Sequence, residues 1–236
     1  MTLAVEGLCA GYGETEVLDD VSLEVPAGEV VALVGRNGAG KTTTLRAIMG
    51  SVPAREGTVR FRGEPITDLD PEPTVRRGIG IVPEERRVFP GLTVAENLKL
   101  GTIGGGDADH GRSVGEVLDA FDELADRRDA QGQHLSGGEQ QMLAVGRTLV
   151  AGADLLLLDE PTEGLAPMIV DRVTDLVREL NADGITVLLV EQNLAVAMEL
   201  ADRIYVIDQG EIVFEGTPDE LEANPDVRDR HLGVSL

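Results

Sequence analysis

Apolar runs alternate with amphipathic segments along most of this chain. Asp154–Asp159 (DLLLLD) and Ile185–Val190 (ITVLLV) are almost continuously apolar, which is typical of strands covered on both faces. Thr43–Met49 and Met168–Leu180 have helical spacing instead. Since buried strands that alternate with helices form mostly parallel sheets, we predict an α/β fold with a mostly parallel core sheet.

Other segments have the pattern of strands at the edges of the fold. Leu3–Cys9 and Val17–Val25 alternate between apolar and polar residues, as strands with one exposed face do. Arg203–Ile207 and Glu211–Glu215 flank a short turn that ends in glycine, which predicts a hairpin.

The middle of the chain is rich in helical patterns. Val114–Arg127 reads as one amphipathic helix, and the glycine-rich, polar stretch 101–115 before it predicts a loop. We therefore expect a helical subdomain over about 71–133, within a single domain that spans residues 1–236.

The strongest chemical motif is Gly35–Thr43 (GRNGAGKTT), which fits G-x-x-x-x-G-K-[ST]. Glycines let successive backbone N–H groups point at phosphate oxygens, and the following helix adds its unpaired N-terminal N–H groups. Lys41 would reach the β- and γ-phosphates, and the Thr42 hydroxyl would bind Mg²⁺. A glycine-rich turn with an unrelated lysine is disfavoured, because a strand pattern precedes the motif and a helical pattern follows it. The candidate nucleotide-binding residues here are Gly35, Arg36, Asn37, Gly38, Ala39, Gly40, Lys41, Thr42 and Thr43.

A second motif lies where the apolar strand Asp154–Asp159 ends in two acids. In an enzyme that uses a magnesium-bound nucleotide, Asp159 would hold the metal shell and Glu160 would orient or deprotonate the attacking water. The alternative interpretation is that these are two solvent-exposed acids at the end of a strand, without a catalytic role. The phosphate-binding motif in the same chain disfavours that alternative.

Composition limits the location of the protein. No apolar run approaches the length of a membrane span, and the N-terminal residues lack the basic start and apolar stretch of a signal peptide. We expect a cytoplasmic protein.

The net charge is −23, from 43 acidic and 20 basic residues. Such a chain repels nucleic acid in dilute buffer. Alternatively, dispersed acids with Lys only at positions 41 and 99 indicate a halophilic protein. Because concentrated salt screens charge, the net charge of such a protein says little about its partners.

The segment Leu135–Gln140 (LSGGEQ) completes a set of three motifs. The phosphate-binding motif, LSGGEQ and LLLLDEPT, in this order, closely resemble the ATP-binding cassette (ABC) ATPases over nearly the whole chain. The resemblance implies a P-loop NTPase fold with a mostly parallel core sheet, an antiparallel β subdomain and a helical subdomain. It also implies ATP and Mg²⁺ as cofactors.

In the family two such domains face each other head to tail, and each ATP lies between one P-loop and the LSGGEQ segment of the other subunit. The resemblance therefore assigns Ser136, Gly137, Gly138 and Glu139 to the nucleotide site of the partner subunit. It also places an aromatic residue at Tyr12 against adenine, where an exposed turn tyrosine is the alternative.

Three departures from the usual family pattern narrow the resemblance. Glu84 stands where a glutamine is usual, Gln192 where a histidine is usual, and the loop 162–167 (TEGLAP) has lost its aspartate. With RRVFPGLTVAENL, these features resemble one of the two ATPase subunits of branched-chain amino acid importers; urea and short-amide importer ATPases are similar.

Because Gln192 cannot shuttle a proton and Glu84 adds charge near Mg²⁺, we expect slow hydrolysis that rests mainly on Glu160. Local repacking of the two loops is the alternative.

The resemblance implies a set of partners: a second, non-identical ABC ATPase, transmembrane permeases, and indirectly an external solute-binding protein, with no nucleic acid. The chain would then sit on the inner face of the cell membrane. The segment Glu84–Leu98, whose apolar and basic face includes Phe89, would receive a permease helix. A surface loop with one exposed Phe is the alternative for this segment. A soluble ABC protein acting on DNA, ribosomes or iron–sulfur assembly, and an exporter ATPase, are the alternatives.

Overall fold

A computed structural model describes residues 2–103 and 111–233. Its strands are β1 (Leu3–Tyr12), β2 (Thr15–Val25), β3 (Val30–Val34), β4 (Ala54–Phe61), β5 (Glu64–Pro65), β6 (Ile79–Val82), β7 (Leu155–Asp159), β8 (Thr186–Glu191), β9 (Arg203–Asp208) and β10 (Glu211–Gly216). Its α-helices are α1 (Lys41–Ile48), α2 (Pro71–Arg76), α3 (Val94–Leu100), α4 (Val114–Ala120), α5 (Asp122–Ala125), α6 (Gly137–Val150), α7 (Pro167–Ala182), α8 (Leu194–Leu200), α9 (Pro218–Glu222) and α10 (Pro225–Val227). Short 3-10 turns cover Gly101–Ile103 and Gly132–His134, and a π-helical turn covers Arg228–Leu232.

The described strands form two sheets. The core sheet has the order β10-β9-β3-β8-β7-β6, in which β9, β3, β8, β7 and β6 run parallel and β10 pairs antiparallel with β9. The second sheet is antiparallel, with the order β2-β1-β4-β5. The predicted fold class is confirmed, including the parallel core and the separate antiparallel sheet.

The core sheet is buried on both faces, as its apolar runs predict. Alternate residues of β7 belong to different apolar clusters: Leu155 and Leu157 pack with α1 and the antiparallel sheet, whereas Leu156 and Leu158 pack with α3 to α7. This arrangement holds β7 between two layers, so that the acids at its end have a fixed position.

The helical region differs from the expected pattern at Phe121. The predicted helix Val114–Arg127 is wrong as a single helix, because α4 and α5 are separated at Phe121, whose φ is −123° and ψ is 84°. Phe121 is 1% exposed and packs with Val117 and Leu124 in the cluster that includes α6. The break turns this aromatic ring into the core, which a continuous amphipathic pattern does not reveal. The predicted loop 101–115 lies partly outside the described residues.

The range 71–133 contains more than helices. Besides α2 to α5 it includes β6, which pairs with β7 in the core sheet. Of the described helices in this range, α3, α4 and α5 pack on α6, which lies beyond it, whereas α2 packs against β6. Among residues 2–103 and 111–233, no helix combines the length and apolar character needed to cross a membrane.

Candidate active site

The phosphate-binding motif forms a tight loop between β3 and α1. Gly38 and Gly40 have φ values of 80° and 116°, a region that residues with side chains rarely adopt. A Cβ on Gly40 would also come within 2.8 Å of Leu18 Cδ2. The backbone conformation therefore favours glycine at both positions, and at Gly40 a side chain would also displace the end of the Leu18 side chain.

Lys41, the first residue of α1, is held in place by three groups. Its Nζ donates to the carbonyl oxygens of Gly35 (2.9 Å) and Arg36 (3.1 Å) and forms an ion pair with Glu160 Oε1 at 3.0 Å. Lys41 is 4% exposed and Glu160 is 8% exposed. A buried ammonium group with three oxygen partners is a site for anionic oxygens, and Glu160 supplies one of them here.

The two predicted magnesium ligands contact each other. Thr42 Oγ1 donates a hydrogen bond to Asp159 Oδ1 at 3.0 Å. Burial raises the pKa of Asp159, the hydrogen bond from Thr42 lowers it, and the charges of Glu160 and Glu84 raise it. The charge of Arg46 lowers the pKa as well, but burial and the two neighbouring acids outweigh it, so that the pKa of Asp159 is raised.

Glu160 follows β7 with a left-handed backbone, at a φ of 46°. Its N–H donates to the carbonyl oxygen of Val190 in β8 at 2.9 Å. Because β3, β7 and β8 are parallel neighbours, their carboxyl ends meet at one edge of the sheet. This topology brings Lys41, Asp159 and Glu160 together although they are distant in sequence.

Two cavities adjoin this edge. One, of about 310 Å³, is lined by Asn37, Gly38, Gly40, Lys41, Thr42, Thr43, Glu84, Glu160 and Glu163, with Val17. The other, of about 480 Å³, includes Tyr12, Arg46, Thr42, Glu84 and Asp159 in its lining. Since Thr42 and Glu84 line both, the two cavities form neighbouring parts of one cleft.

Tyr12 lines the larger of these two cavities. It ends β1 at the turn into β2 and is 46% exposed, and its hydroxyl accepts a hydrogen bond from Arg46 Nη1 at 3.2 Å. The Tyr12 hydroxyl is also the main cause of a raised pKa of Arg46. The exposed ring and the cation beside it suit a stacked base with phosphates nearby.

Gln192 lines a third cavity next to Glu160. This cavity, of about 280 Å³, is lined by Glu160, Thr162, Glu163, Glu191, Gln192 and Asn193. Two of the three departures from the usual family pattern, Glu84 and Gln192, therefore line cavities that Glu160 also lines.

The LSGGEQ segment forms the start of α6. Ser136 Oγ accepts from the N–H of Glu139 at 3.3 Å, and Glu139 Oε2 accepts from the N–H of Ser136 at 2.6 Å, which is a capping box. A Cβ on Gly138 would come within 2.6 Å of Ile169 Cγ2. Gly137 lies against Leu165 and Arg86. These residues therefore pack against the loop after Glu160 and the start of α7, rather than against the P-loop of the same chain.

Sequence reasoning missed two further acids of the site. Glu163 takes part in a hydrogen bond with Glu160 that raises the pKa of Glu163. Glu191, the last residue of β8, is 2% exposed; burial raises its pKa, and hydrogen bonds from Thr162 and Asn193 oppose the rise. One feature of the sequence could have indicated Glu191: an acid that ends a buried parallel strand, as Asp159 does.

Arg86 is a third residue that the sequence left without a defined contact. Its Nε donates to Gln141 Oε1 and its Nη2 to the carbonyl oxygen of Glu163, both at 3.2 Å. Arg86 has a φ of 59°. It therefore ties the segment after Glu84 to α6 and to the loop after Glu160.

Comparison with known proteins identifies the family. The family model described as ABC transporter matches residues 18–163, which is most of the chain and includes the P-loop, LSGGEQ and both acids. The chain is 45% identical, over 98% of its length and 99% of the relative, to the high-affinity branched-chain amino acid transport ATP-binding protein BraG of Pseudomonas aeruginosa. It is 34% identical, over 98% of its length and 97% of the relative, to the lipopolysaccharide export system ATP-binding protein LptB of Escherichia coli K12.

A solved structure agrees with these relatives. The ADP conformation of MJ1267, an ATP-binding cassette of an ABC transporter, superimposes with a TM-score of 0.85 at 30% identity and covers 97% of both chains. The shared fold, the matched motifs and the cleft at the ends of β3 and β7 lead to one conclusion. The chain belongs to the ABC transporter family and is one of its ATPases.

Proposed function

We propose that this protein is the ATP-hydrolysing subunit of an ABC importer for branched-chain amino acids. One observation carries the proposal: the 45% identity with a branched-chain amino acid transport ATP-binding protein spans nearly all of both chains. The lipopolysaccharide export relative is equally complete but reaches only 34%. The importer is therefore favoured over the exporter.

ATP would bind along the cleft with its base at Tyr12 and its phosphates at residues 35–43. Gly35, Arg36, Asn37, Gly38, Ala39, Gly40, Thr42 and Thr43 would contribute backbone or hydroxyl contacts. Lys41 would contact the terminal phosphates, whose oxygens would take the place that Glu160 holds beside its ammonium group.

The residues present fit Mg²⁺ as part of the substrate complex. Within the described residues, no three His, Cys, Asp or Glu side chains are grouped to hold a metal by themselves. Thr42 and Asp159 would supply one hydroxyl and one carboxylate, which suits an ion that takes its remaining ligands from phosphates and water. Bound there, Mg²⁺ would neutralise phosphate charge.

Glu160 would act as the base of hydrolysis. Its carboxylate would accept a proton from the water that attacks the γ-phosphorus, while the bond to the bridging oxygen breaks and ADP leaves. Gln192 would donate a hydrogen bond on one side, and Glu84 would add a negative charge on the other. We expect slow turnover from this combination.

The second half of each ATP site would come from another subunit. Ser136, Gly137, Gly138 and Glu139 would contact the nucleotide that a second, non-identical ABC ATPase binds, in a head-to-tail pair. Transmembrane permeases would hold this pair at the inner face of the cell membrane, and an external solute-binding protein would act on it indirectly. Nucleic acid has no place in the cycle.

The segment Glu84–Leu98 would form the surface that contacts the permease. Phe89 is 50% exposed, with the guanidinium of Arg147 5.5 Å from its ring centroid. Asn97 fixes the backbone around Phe89, since Oδ1 accepts from the Phe89 N–H and Nδ2 donates to the Phe89 carbonyl. Arg86 ties this surface to Glu163. A movement of the permease would thus be transmitted through Arg86 to the loop that follows Glu160.

Two finer features complete the proposal. The protein is a single ATPase domain over residues 1–236 with a helical subdomain at about 71–133. It works in concentrated salt, since its net charge of −23 is dispersed and its basic residues are nearly all Arg. A urea or short-amide importer remains the second candidate, because the departures at Glu84 and Gln192 suit those ATPases as well.

Co-purification tests the assembly. The chain would be tagged in its own host, and membranes would be solubilised gently in high salt. We expect two multi-spanning proteins and a second ABC ATPase in the purified complex. Recovery from the soluble fraction alone, with ribosomes or iron–sulfur proteins, would contradict the transport function while leaving the ATPase intact.

A further inference from the structure

A buried carboxylate lies between the two loops that flank the proposed base. Glu191 ends β8, and its side chain is enclosed, at 2% exposure. A carboxylate without water is tolerated where donors satisfy its oxygens. The origin of those donors shows which parts of the chain Glu191 joins.

The donors come from both loops. Glu191 Oε1 accepts from the N–H of Thr162 at 3.2 Å and from its Oγ1 at 2.7 Å. Glu191 Oε2 accepts from the N–H of Asn193 at 3.1 Å. Thr162 belongs to the Glu160 loop, residues 160–166, and Asn193 belongs to the Gln192 loop, residues 192–193.

The Glu160 loop needs such support. Glu160 has a left-handed φ of 46°, which residues other than glycine rarely adopt. Its N–H is bonded to Val190, and Thr162, two residues on, is bonded through both backbone and side chain to Glu191. Consecutive residues of β8 therefore hold the loop on either side of Pro161.

An apolar residue at position 191 would fill the same space but would leave donors of both loops unsatisfied. Glutamine would keep the size and the bonds to Thr162, while its NH₂ group would face the Asn193 N–H, which needs an acceptor. Only a carboxylate accepts from the two loops at once.

We propose that Glu191 is a positioning residue for ATP hydrolysis, which through Thr162 and Asn193 fixes the Glu160 carboxylate relative to the Gln192 side chain. The inference rests on the proposed role of Glu160 as the base. It does not depend on the solute that is transported.

Three variants of the full chain test this role, with ATP hydrolysis and ADP affinity both measured. Thr162→Val removes the hydroxyl bond to Glu191 without changing the size of the side chain. Glu191→Gln removes the acceptor for Asn193. We expect kcat to fall about tenfold in each, the rate effect of roughly one hydrogen bond, while KM for ATP and the Kd of ADP stay within about twofold. Thr162→Ser, which keeps the hydroxyl, restores most of the rate.

Thr174→Val is the matched control. Thr174 is also buried, at 2% exposure, but lies in α7, so the same chemical change there alters stability without altering kcat. Glu160→Gln serves as the reference for loss of the base.

The outcomes distinguish the positioning role of Glu191 from the proposed role of Glu160 as the base. Wild-type kcat in Thr162→Val and Glu191→Gln, with Glu160→Gln inactive, would overturn the positioning role alone. A fall in kcat that only matches a loss of ADP affinity, or that Thr174→Val reproduces, would also overturn it. Unchanged kcat in Glu160→Gln would instead contradict the proposed role of Glu160 as the base.

Discussion

At the scale of single residues, the ion pair between Lys41 and Glu160 would connect the proposed nucleotide binding with the proposed hydrolysis. Both side chains are buried, and their charged atoms are 3.0 Å apart. Terminal phosphates and the Glu160 carboxylate need the same ammonium group. In the proposed mechanism, binding of ATP would therefore release Glu160 from its ion pair, at the moment when a base is required.

Replacing Glu160 by glutamine tests this competition. We expect Glu160→Gln to lower kcat by roughly 10²–10⁴, the usual contribution of a general base. We also expect it to tighten ATP binding, because Lys41 loses its charged competitor. Glu64→Gln, the same change on exposed β5, should alter neither quantity. Weaker ATP binding in Glu160→Gln, measured by calorimetry, would contradict the competition.

Glu84 and Gln192 lead to a second prediction at this scale. The double variant Glu84→Gln, Gln192→His restores the usual family residues at both positions, removes a negative charge and adds a group that can shuttle a proton. We expect kcat at saturating ATP to rise several-fold in the assembled complex. An unchanged kcat would mean that the two substitutions only repack their loops.

The sequence predicted the residues with a recognisable spacing and missed those without one. Lys41, Thr42 and Asp159 meet in the structure as their motifs indicate, because each motif fixes its own backbone. Glu163 and Glu191 have no motif. Their positions follow from strand order and from the left-handed turn at Glu160, which no local pattern encodes.

At the scale of elements, α3 holds the segment around Phe89 through one side chain. Asn97 is fully buried, and its Nδ2 donates to the carbonyls of Phe89, Leu92 and Thr93 within 3.1 Å. Its Oδ1 accepts from the Phe89 N–H at 2.9 Å. The proposed permease contact is therefore preformed rather than a loose loop.

Removing this side chain should affect both stability and transport. We expect Asn97→Ala to lower the free energy of unfolding by about 1–3 kcal/mol, the cost of leaving buried groups without partners. Lys99→Ala, at an exposed position of the same helix, should stay within about 0.5 kcal/mol of wild type. Urea unfolding measures the free energy of unfolding of both variants. Equal losses in Asn97→Ala and Lys99→Ala would contradict the role assigned to Asn97.

Elements were predictable where periodicity is strong and local. The apolar runs identified β7 and β8, and the helical spacing of Thr43–Met49 identified most of α1. The helix over Val114–Arg127 was wrong because its pattern continues through Phe121 while the backbone does not. Packing of Phe121 in the cluster with α6, a long-range contact, decides that break.

At the scale of the whole molecule, the net charge of −23 on 236 residues opposes folding in dilute buffer. Concentrated salt screens this repulsion, since the Debye length falls from about 10 Å at 0.1 M to about 3 Å at 1 M. We expect the unfolding temperature to rise as KCl increases from about 0.1 M to about 2 M, with each kcal/mol gained appearing as roughly 2–4 °C. An unfolding temperature that stays constant or falls, measured by circular dichroism, would contradict adaptation to salt.

The central claim is that ATP hydrolysis by this chain drives uptake of branched-chain amino acids. Uptake of radiolabelled leucine by the source organism, after deletion of this chain, tests it most directly. We expect high-affinity uptake to disappear and to return with the wild-type chain or Glu64→Gln, but not with Glu160→Gln. Leucine, isoleucine and valine uptake that is unchanged by the deletion would contradict the claim.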